Sequence, residues 1–228
     1  MPPFTASDVA RVLDHAVLKP TYTTADLAQH AAMCVARGVG CLCVRSCDVA
    51  AAARLVAGSP VVVASVVGFP HGGHRSETKA LESRLAIADG ARELDMVLNV
   101  GALLSGDTSL VRDDIAAVVA EAKPHGVLVK VIFETCYLTP AQIVTACRLS
   151  EEADADFVKT STGFGTTGAT PEAVRLMLDT VGTRLGVKAS GGIRTWADAV
   201  MYLDMGCTRL GVGDAAAILD GGTATGAY

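Results

Sequence analysis

Eight short apolar runs, each followed by a segment with helical start and stop signals, recur along the chain without a break. The runs cover 12–18, 40–46, 61–68, 93–99, 127–133, 156–161, 185–190 and 208–213. They are rich in Val, Leu and Ile and nearly continuous in apolar character, as strands covered on both faces must be. Between them, Thr24 with Asp26 opens a helix that closes at Gly38, and Ser76 opens one that runs to Gly90. Thr139–Pro140 and Thr170–Pro171 each place a cap before an N1 proline, with Gln142 completing a capping box in the first. Thr195 starts a helix that stops at Gly206, and weaker patterns fill 48–57, 109–122 and 214–219. Eight strands alternating strictly with eight helices mean parallel βα units, and that number predicts a closed barrel. Dividing 228 residues by eight leaves 28.5 per unit, enough for unadorned units and little else. No linker or low-complexity tract intervenes, so residues 1–228 are expected to form a single (β/α)8 TIM barrel with a flexible tail over about 220–228. An open doubly wound sheet is the alternative, but a GxGxxG after the first strand is missing.

Composition removes several function classes. Half of the residues are hydrophobic and 19% are charged, which excludes a disordered chain. Aromatics are only 4%, so the core is aliphatic. A net charge of −5 without basic runs disfavours a nucleic-acid binder. The start, MPPFTASDVARVLDH, lacks the basic and apolar regions of a signal peptide, and no apolar stretch reaches the ~18 residues of a membrane span. Seven cysteines, an odd count in a chain this long, fit reduced thiols in a cytoplasm. Cys41, Cys43 and Cys47 cluster, but no CxxC pair or matching Cys/His set follows, so they read as small core residues and no metal is expected.

The informative residues are ionisable groups where strands should be apolar. Lys130 sits in LVKVIF, Lys159 in FVKTS and Lys188 in GVKAS, at spacings of 29 and 29, and Asp95 sits in ELDMVLN. Alternation puts Lys130, Ile132 and Glu134 on one face of the fifth strand and Phe157, Lys159 and Ser161 on the matching face of the sixth. A lone lysine there would snorkel to solvent. Three lysines and an aspartate near the carboxyl ends of neighbouring strands instead mark the rim where barrels place their chemistry, and the equal spacing predicts that all three lysines meet there. An ordinary lysine, with pKa near ~10.4, is no nucleophile at neutral pH. Burial and a neighbouring like charge free the amine for attack on a carbonyl. Two lysines and a carboxylate are thus the minimum for imine chemistry. Gly191 and Gly192 follow the seventh strand, and Gly211 and Gly213 end the eighth before a short helix, where barrels bind phosphate through backbone N–H groups.

With FVKTSTGF, KASGGIRT, ELDMVLNVGAL and VKVIFETCYLT on the page, the sequence resembles the 2-deoxyribose-5-phosphate aldolases, in order from LDHAVLKPT at 13–21 to the last residue. The resemblance implies a class I aldolase without metal or cofactor. Such enzymes reversibly cleave 2-deoxy-D-ribose 5-phosphate to acetaldehyde and D-glyceraldehyde 3-phosphate in deoxynucleoside catabolism. By motif it implies that Lys159 forms the imine, Lys188 lowers its pKa and Asp95 moves protons with an ordered water. It further implies that Lys130, Asp14, Thr160 and a pocket cysteine, Cys43, support the site and that Tyr228 reaches it from the chain end. The expected partners are small aldehydes and sugar phosphates, with no nucleic acid and no membrane. A homodimer is compatible with the resemblance, although the sequence itself is silent on assembly.

Three departures stand out. The serines that usually follow the eighth strand are replaced by Gly211-Val212-Gly213-Asp214, and an aspartate there repels a dianion unless it turns away. Val44-Arg45-Ser46 replaces an Asn-Pro, leaving Arg45 either near the aldehyde or pointing outward, and Ala16 replaces a hydroxyl residue. The rivals are an aldolase with relaxed phosphate dependence, a transaldolase-like enzyme acting on ketoses, a non-catalytic sugar-phosphate-binding barrel, and a metal-dependent lyase using His71 and His74. Those histidines are expected to face solvent.

Overall fold

The computed structural model describes residues 4–225. Its eight strands are β1 Leu13–Val17, β2 Cys41–Val44, β3 Val62–Val67, β4 Glu93–Val97, β5 Leu128–Ile132, β6 Phe157–Lys159, β7 Gly186–Ser190 and β8 Arg209–Val212. All neighbours pair in parallel, and β8 returns to β1 to close the barrel. The expected helices are present as α2 Thr24–Arg37, α3 Val49–Leu55, α4 Ser76–Ala88, α6 Thr108–Ala122, α7 Pro140–Glu152, α8 Pro171–Val181, α9 Trp196–Met205 and α10 Ala215–Leu219. Capping explains where several begin. Thr23, Thr139 and Thr195 each bond the N3 amide, and Asp26, Gln142 and Asp198 reach back to complete the box. None of these helices is long and apolar enough to cross a membrane.

Two short helices add to the expected eight: α1 Ala6–Val12 ahead of β1, and α5 Val100–Leu104 after β4. Helix α1 is tied to the start of β2, because the Gly40 N–H donates to Ala10 O at 2.9 Å. A Cβ on Gly40 would stand 2.1 Å from the Arg11 carbonyl oxygen, so only glycine allows that approach. Beyond α10 the chain runs back to the loop after β7. Thr223 bridges to Thr195, and the N–H of the buried Ala224 donates to Arg194 O at 2.9 Å, which holds the chain through Ala224 at the loop after β7.

An aliphatic layer of the kind seen in Leu42, Val44, Leu94, Val131, Val158 and Leu210 fills the space between barrel and helices. The lumen is divided. On the β1–β3 side it is lined by a separate group of small apolar residues, Ala16, Leu18, Cys41, Cys43, Ala64 and Val66. On the other side it is ionic. Strand register corrects one sequence expectation there. Lys159 pairs with Lys188, but Lys130 pairs with Asp95 and Phe157, two residues deeper than Lys159. Equal spacing therefore does not give equal height, because β5 and β6 pair with an offset of 27 where β6 and β7 keep 29. The three lysines meet through the length of their side chains.

Candidate active site

Strands β4 to β8 and β1 send charged side chains into the lumen. Lys130, Lys159 and Lys188 are fully buried, as are Asp95 and, nearly, Asp14 and Glu93. Asp95 is the hub: its Oδ1 accepts from Lys130 Nζ at 2.7 Å, and its Oδ2 accepts from Lys159 Nζ and Lys188 Nζ, each at 2.7 Å. Lys188 also contacts Asp14, while Lys130 reaches Glu93 at 2.5 Å and Asp14 at 3.3 Å. Arg209 closes the ring from below, with Nη1 2.8 Å from Asp14 and Nη2 2.5 Å from Glu93. The cluster brings together Lys159, Lys188, Asp95, Lys130 and Asp14. It adds Glu93 and Arg209, which sequence reasoning missed. Glu93 lies two residues before Asp95 and so shares its face, a signal present in ELDMV.

Counting carboxylate contacts separates the lysines. Lys130 touches three carboxylates, Lys188 two and Lys159 only one. Burial pushes every one of them toward the neutral amine. For Lys130 and Lys188 the facing carboxylates outweigh burial and hold the pKa above the ordinary lysine value. For Lys159, burial prevails over Asp95, and the neighbouring Lys188 charge adds to it, so its pKa is lowered. Burial raises the proton affinity of Asp95, but the three lysines overcome it and keep its carboxyl well below the usual range. Four cationic groups thus face three carboxylates, and Lys159 is the one that can shed its proton without unbalancing the ring.

The other sequence-predicted residues divide. Cys43 lies buried in the lumen, where burial pushes its thiol up to about 11. The Thr160 hydroxyl donates to Ser190 O at 3.1 Å and accepts from Ser190 N at 3.0 Å, latching β6 to β7. Gly211 has a packing reason, since a Cβ there would stand 2.1 Å from Ser190 Oγ and 3.2 Å from Lys188 Cε. Gly191 and Gly192 have φ of +82° and +78°, and Gly192 is exposed with open space before it. Gly213 leads into α10, and Asp214 turns back to cap that helix, accepting from Ala217 N at 3.0 Å. The first amide of α10, at Ala215, donates to His15 Nδ1 at 3.3 Å. Arg45 braces the loop before α2, bonding Asp48 and the carbonyls of Lys19, Pro20 and Tyr22. His71 and His74 are exposed. Tyr228 lies outside the described residues.

Asp14, Cys41 and Glu93 bring donor atoms within 4.8 Å of one another, a trio that suggests a metal. Lys130 and Arg209 already neutralise its carboxylates, so this donor set does not suit a divalent cation. At the carboxyl ends of the strands a cavity of about 150 Å³ is lined by Pro70, His71, Glu134, Tyr137, Thr162 and Phe164, among others. Glu134 and Thr162 there were also missed as site residues. The hydroxyls of Ser161 and Ser190 are buried with no hydrogen-bond partner among the described residues.

The chain matches the DeoC/LacD family aldolase over residues 9–211. It is 47% identical to a deoxyribose-phosphate aldolase of a Geobacillus species over 222 residues, covering 97% of this chain and 99% of the other. It is also 47% identical to one from Thermococcus gammatolerans over 216 residues, covering 94% and 96%. Among solved structures, a tetrameric deoxyribose phosphate aldolase from Aeropyrum pernix superposes with a TM-score of 0.89 at 31% identity, covering 95% of this chain and 91% of that one. A closed barrel with a buried lysine ring, matched in sequence over nearly its whole length, places the chain in the DeoC/LacD aldolase family.

Proposed function

We propose that this protein is a class I aldolase that reversibly cleaves 2-deoxy-D-ribose 5-phosphate to acetaldehyde and D-glyceraldehyde 3-phosphate, with Lys159 as the imine-forming residue. The observation that carries this reading is the single carboxylate contact of a fully buried Lys159 beside the doubly paired Lys188. The neutral amine adds to the C1 aldehyde of the open-chain sugar and loses water to give a protonated imine. That imine is the electron sink: the C2–C3 bond breaks, its electron pair becomes the enamine double bond, and the C3 hydroxyl loses its proton as it turns into an aldehyde. Asp95, through a water and with Lys188, takes that proton. Its low proton affinity makes it a relay more than a store. Protonation of the enamine at C2 and hydrolysis of the imine release acetaldehyde. Reduction with borohydride in the presence of acetaldehyde should leave an ethyl group on Lys159; a label on another lysine, or none, sinks the assignment. The same result separates an enzyme from a barrel that only binds sugar phosphates.

Weakened phosphate dependence is a second reading, favoured by Asp214 and by the Ala215 amide already given to His15. The exposed backbone of Gly192 and the half-buried one of Gly213 remain for the phosphate, and the unpaired Ser161 and Ser190 hydroxyls for the sugar. The kcat/KM for the 5-phosphate should then exceed that for deoxyribose by no more than about tenfold, or 1.4 kcal/mol. A far larger ratio restores a full phosphate site. Tyr228, four residues beyond the anchored Ala224, is proposed to assist proton exchange at the acetaldehyde methyl carbon. Its deletion should slow deuterium uptake there, and unchanged uptake removes the idea. A cytoplasmic setting fits the seven cysteines, all of which are free thiols.

A further inference from the structure

We propose that Glu134 is a positioning residue for the chemistry at Lys159: its carboxylate clamps Thr162 and so keeps the segment 160–165 closed over the amine.

Glu134 is one of two non-glycine residues with positive φ among the described residues, at +55°. Its neighbours hold it there. The Phe133 N–H donates to Lys159 O and the Thr135 N–H to Thr160 O, each at 3.0 Å, so the backbone on both sides is pinned to the strand that carries the amine. The left-handed turn between those pins aims the side chain at the residues just past Lys159. There both carboxylate oxygens accept from the Thr162 N–H at 3.3 Å, and Oε2 accepts from the Thr162 hydroxyl. Thr162 Oγ1 in turn accepts from the Phe164 N–H at 3.0 Å, and the Phe164 ring stands edge-on to Phe69 with centroids 5.3 Å apart. One carboxylate therefore ties the loops after β5, β6 and β3 together at the cavity mouth. Gly165 leaves the room this needs, because a Cβ there would come within 3.0 Å of the Glu134 carboxyl and 2.9 Å of Cys136 Sγ. Residues 159 to 162 are all fully buried under this arrangement.

Glu134 acts on Lys159 in two opposed ways. Its negative charge favours the protonated amine, whereas its clamp, by excluding water, favours the neutral one. The groups facing Lys159 are Asp95 from β4, Lys188 from β7 and Cys43 from β2, with Glu134 beyond β5. Those facing Glu134 are Thr162, Lys159 and Cys136, and His71 and Tyr137 share its cavity. Two substitutions separate the effects: Glu134→Gln removes the charge and keeps an acceptor for Thr162, and Glu134→Ala removes both.

The inference rests on Lys159 being the imine-forming residue, so wild-type labelling is read first. The experiment is reductive trapping of acetaldehyde by cyanoborohydride as a function of pH, with the labelled lysine identified by mass. If the wild type is not labelled at Lys159, it is the mechanism that fails. With that label in place, Glu134→Ala should move the pH midpoint of trapping upward by about one unit, a tenfold loss of free amine at a given pH. Glu134→Gln should stay at the wild-type midpoint or fall below it. A Glu134→Ala midpoint at or below wild type, or a Glu134→Gln midpoint as high as that of Ala, overturns the clamp. Should Glu134→Ala fail to fold, Thr162→Val, which removes the clamped hydroxyl, is held to the same upward shift.

Discussion

Lys159 differs from its two neighbours by a contact or two, and in the proposed mechanism that difference carries its chemistry. Lys188 weakens the hold of Lys159 on its proton through like charge. Replacing it, as in Lys188→Met, should raise the Lys159 pKa. Because the neutral amine is the reactive form, activity falls as pH drops through that pKa. The acid limb of the kcat/KM profile should therefore move to higher pH, and a limb that stays in place argues against this role. Gly211→Ala should be nearly as damaging, since the new methyl would displace Ser190 and the stem of Lys188; a variant with wild-type kcat would show that the barrel accommodates it. Residues of this kind were unevenly legible in the sequence. Lys159, Lys188 and Asp95 announce themselves because charge in a buried strand needs a reason. Glu93 and Arg209 obey the same rule, yet they stand at the first positions of their strands, where charge also reads as a boundary. Glu134 sits on the expected face, but its turned backbone and its partner 28 residues away leave no local trace.

Among the elements, α4 and α6 are joined to the sheet by a second buried ion pair. Lys79 Nζ lies 2.5 Å from Asp114 Oδ2 and donates to Val97 O at 2.8 Å, while Ser76 supports Asp114 at 2.9 Å. Burial lowers the Lys79 pKa and raises that of Asp114, in each case against the attraction of the partner. The pair therefore fixes geometry at the end of β4 more than it stabilises the fold. Removing one partner, as in Lys79→Met, should cost about 3–5 kcal/mol in urea unfolding, and Lys79→Met with Asp114→Leu should recover part of that loss. A single variant as stable as wild type would mean that water reaches the pair. Elements were the most legible level of the sequence, because apolar runs and threonine caps are local signals. The two helices without a βα slot, α1 and α5, were not. Each is a single short stretch of 7 or 5 residues, and α1 is held by its contact with Gly40 as much as by its own cap.

For the whole molecule, the lumen stores carboxylates whose ionised form is stabilised by folding. Asp14 and Asp95 are buried, which raises their proton affinity, but the facing lysines depress both pKa values below the unfolded one. Depressed carboxylates contribute stability above the unfolded pKa, near ~3.9, and that contribution is lost as pH falls toward the folded values. Burial also keeps His15 neutral, its pKa pushed down to about 3, so urea midpoints should begin to decline as pH falls below about 6.5 and fall more steeply below about 4 as the carboxylates join. Midpoints that stay level down to about 4 would mean that His15 takes up its proton without unfolding, and midpoints level below that would place the acid-sensitive carboxylates elsewhere. The register of the lysines was the part of the global arrangement that spacing could not supply, since pairing offsets are set by the closed sheet and not by the length of each unit.

The division of that lumen has a consequence for how such a catalyst diversifies. The electrostatic machinery is confined to the β4–β8 and β1 side chains, whereas β2 and β3 contribute only small neutral ones, among them Cys43, Ala64 and Val66. Substitutions in the neutral wall at Ala64 and Val66 therefore leave every ion pair of the lysine ring in place. In the proposed mechanism, trimming or enlarging that wall changes the space beside the amine while every charge keeps its partner, a modularity that lets selection explore new carbon–carbon bonds without first rebuilding the catalyst.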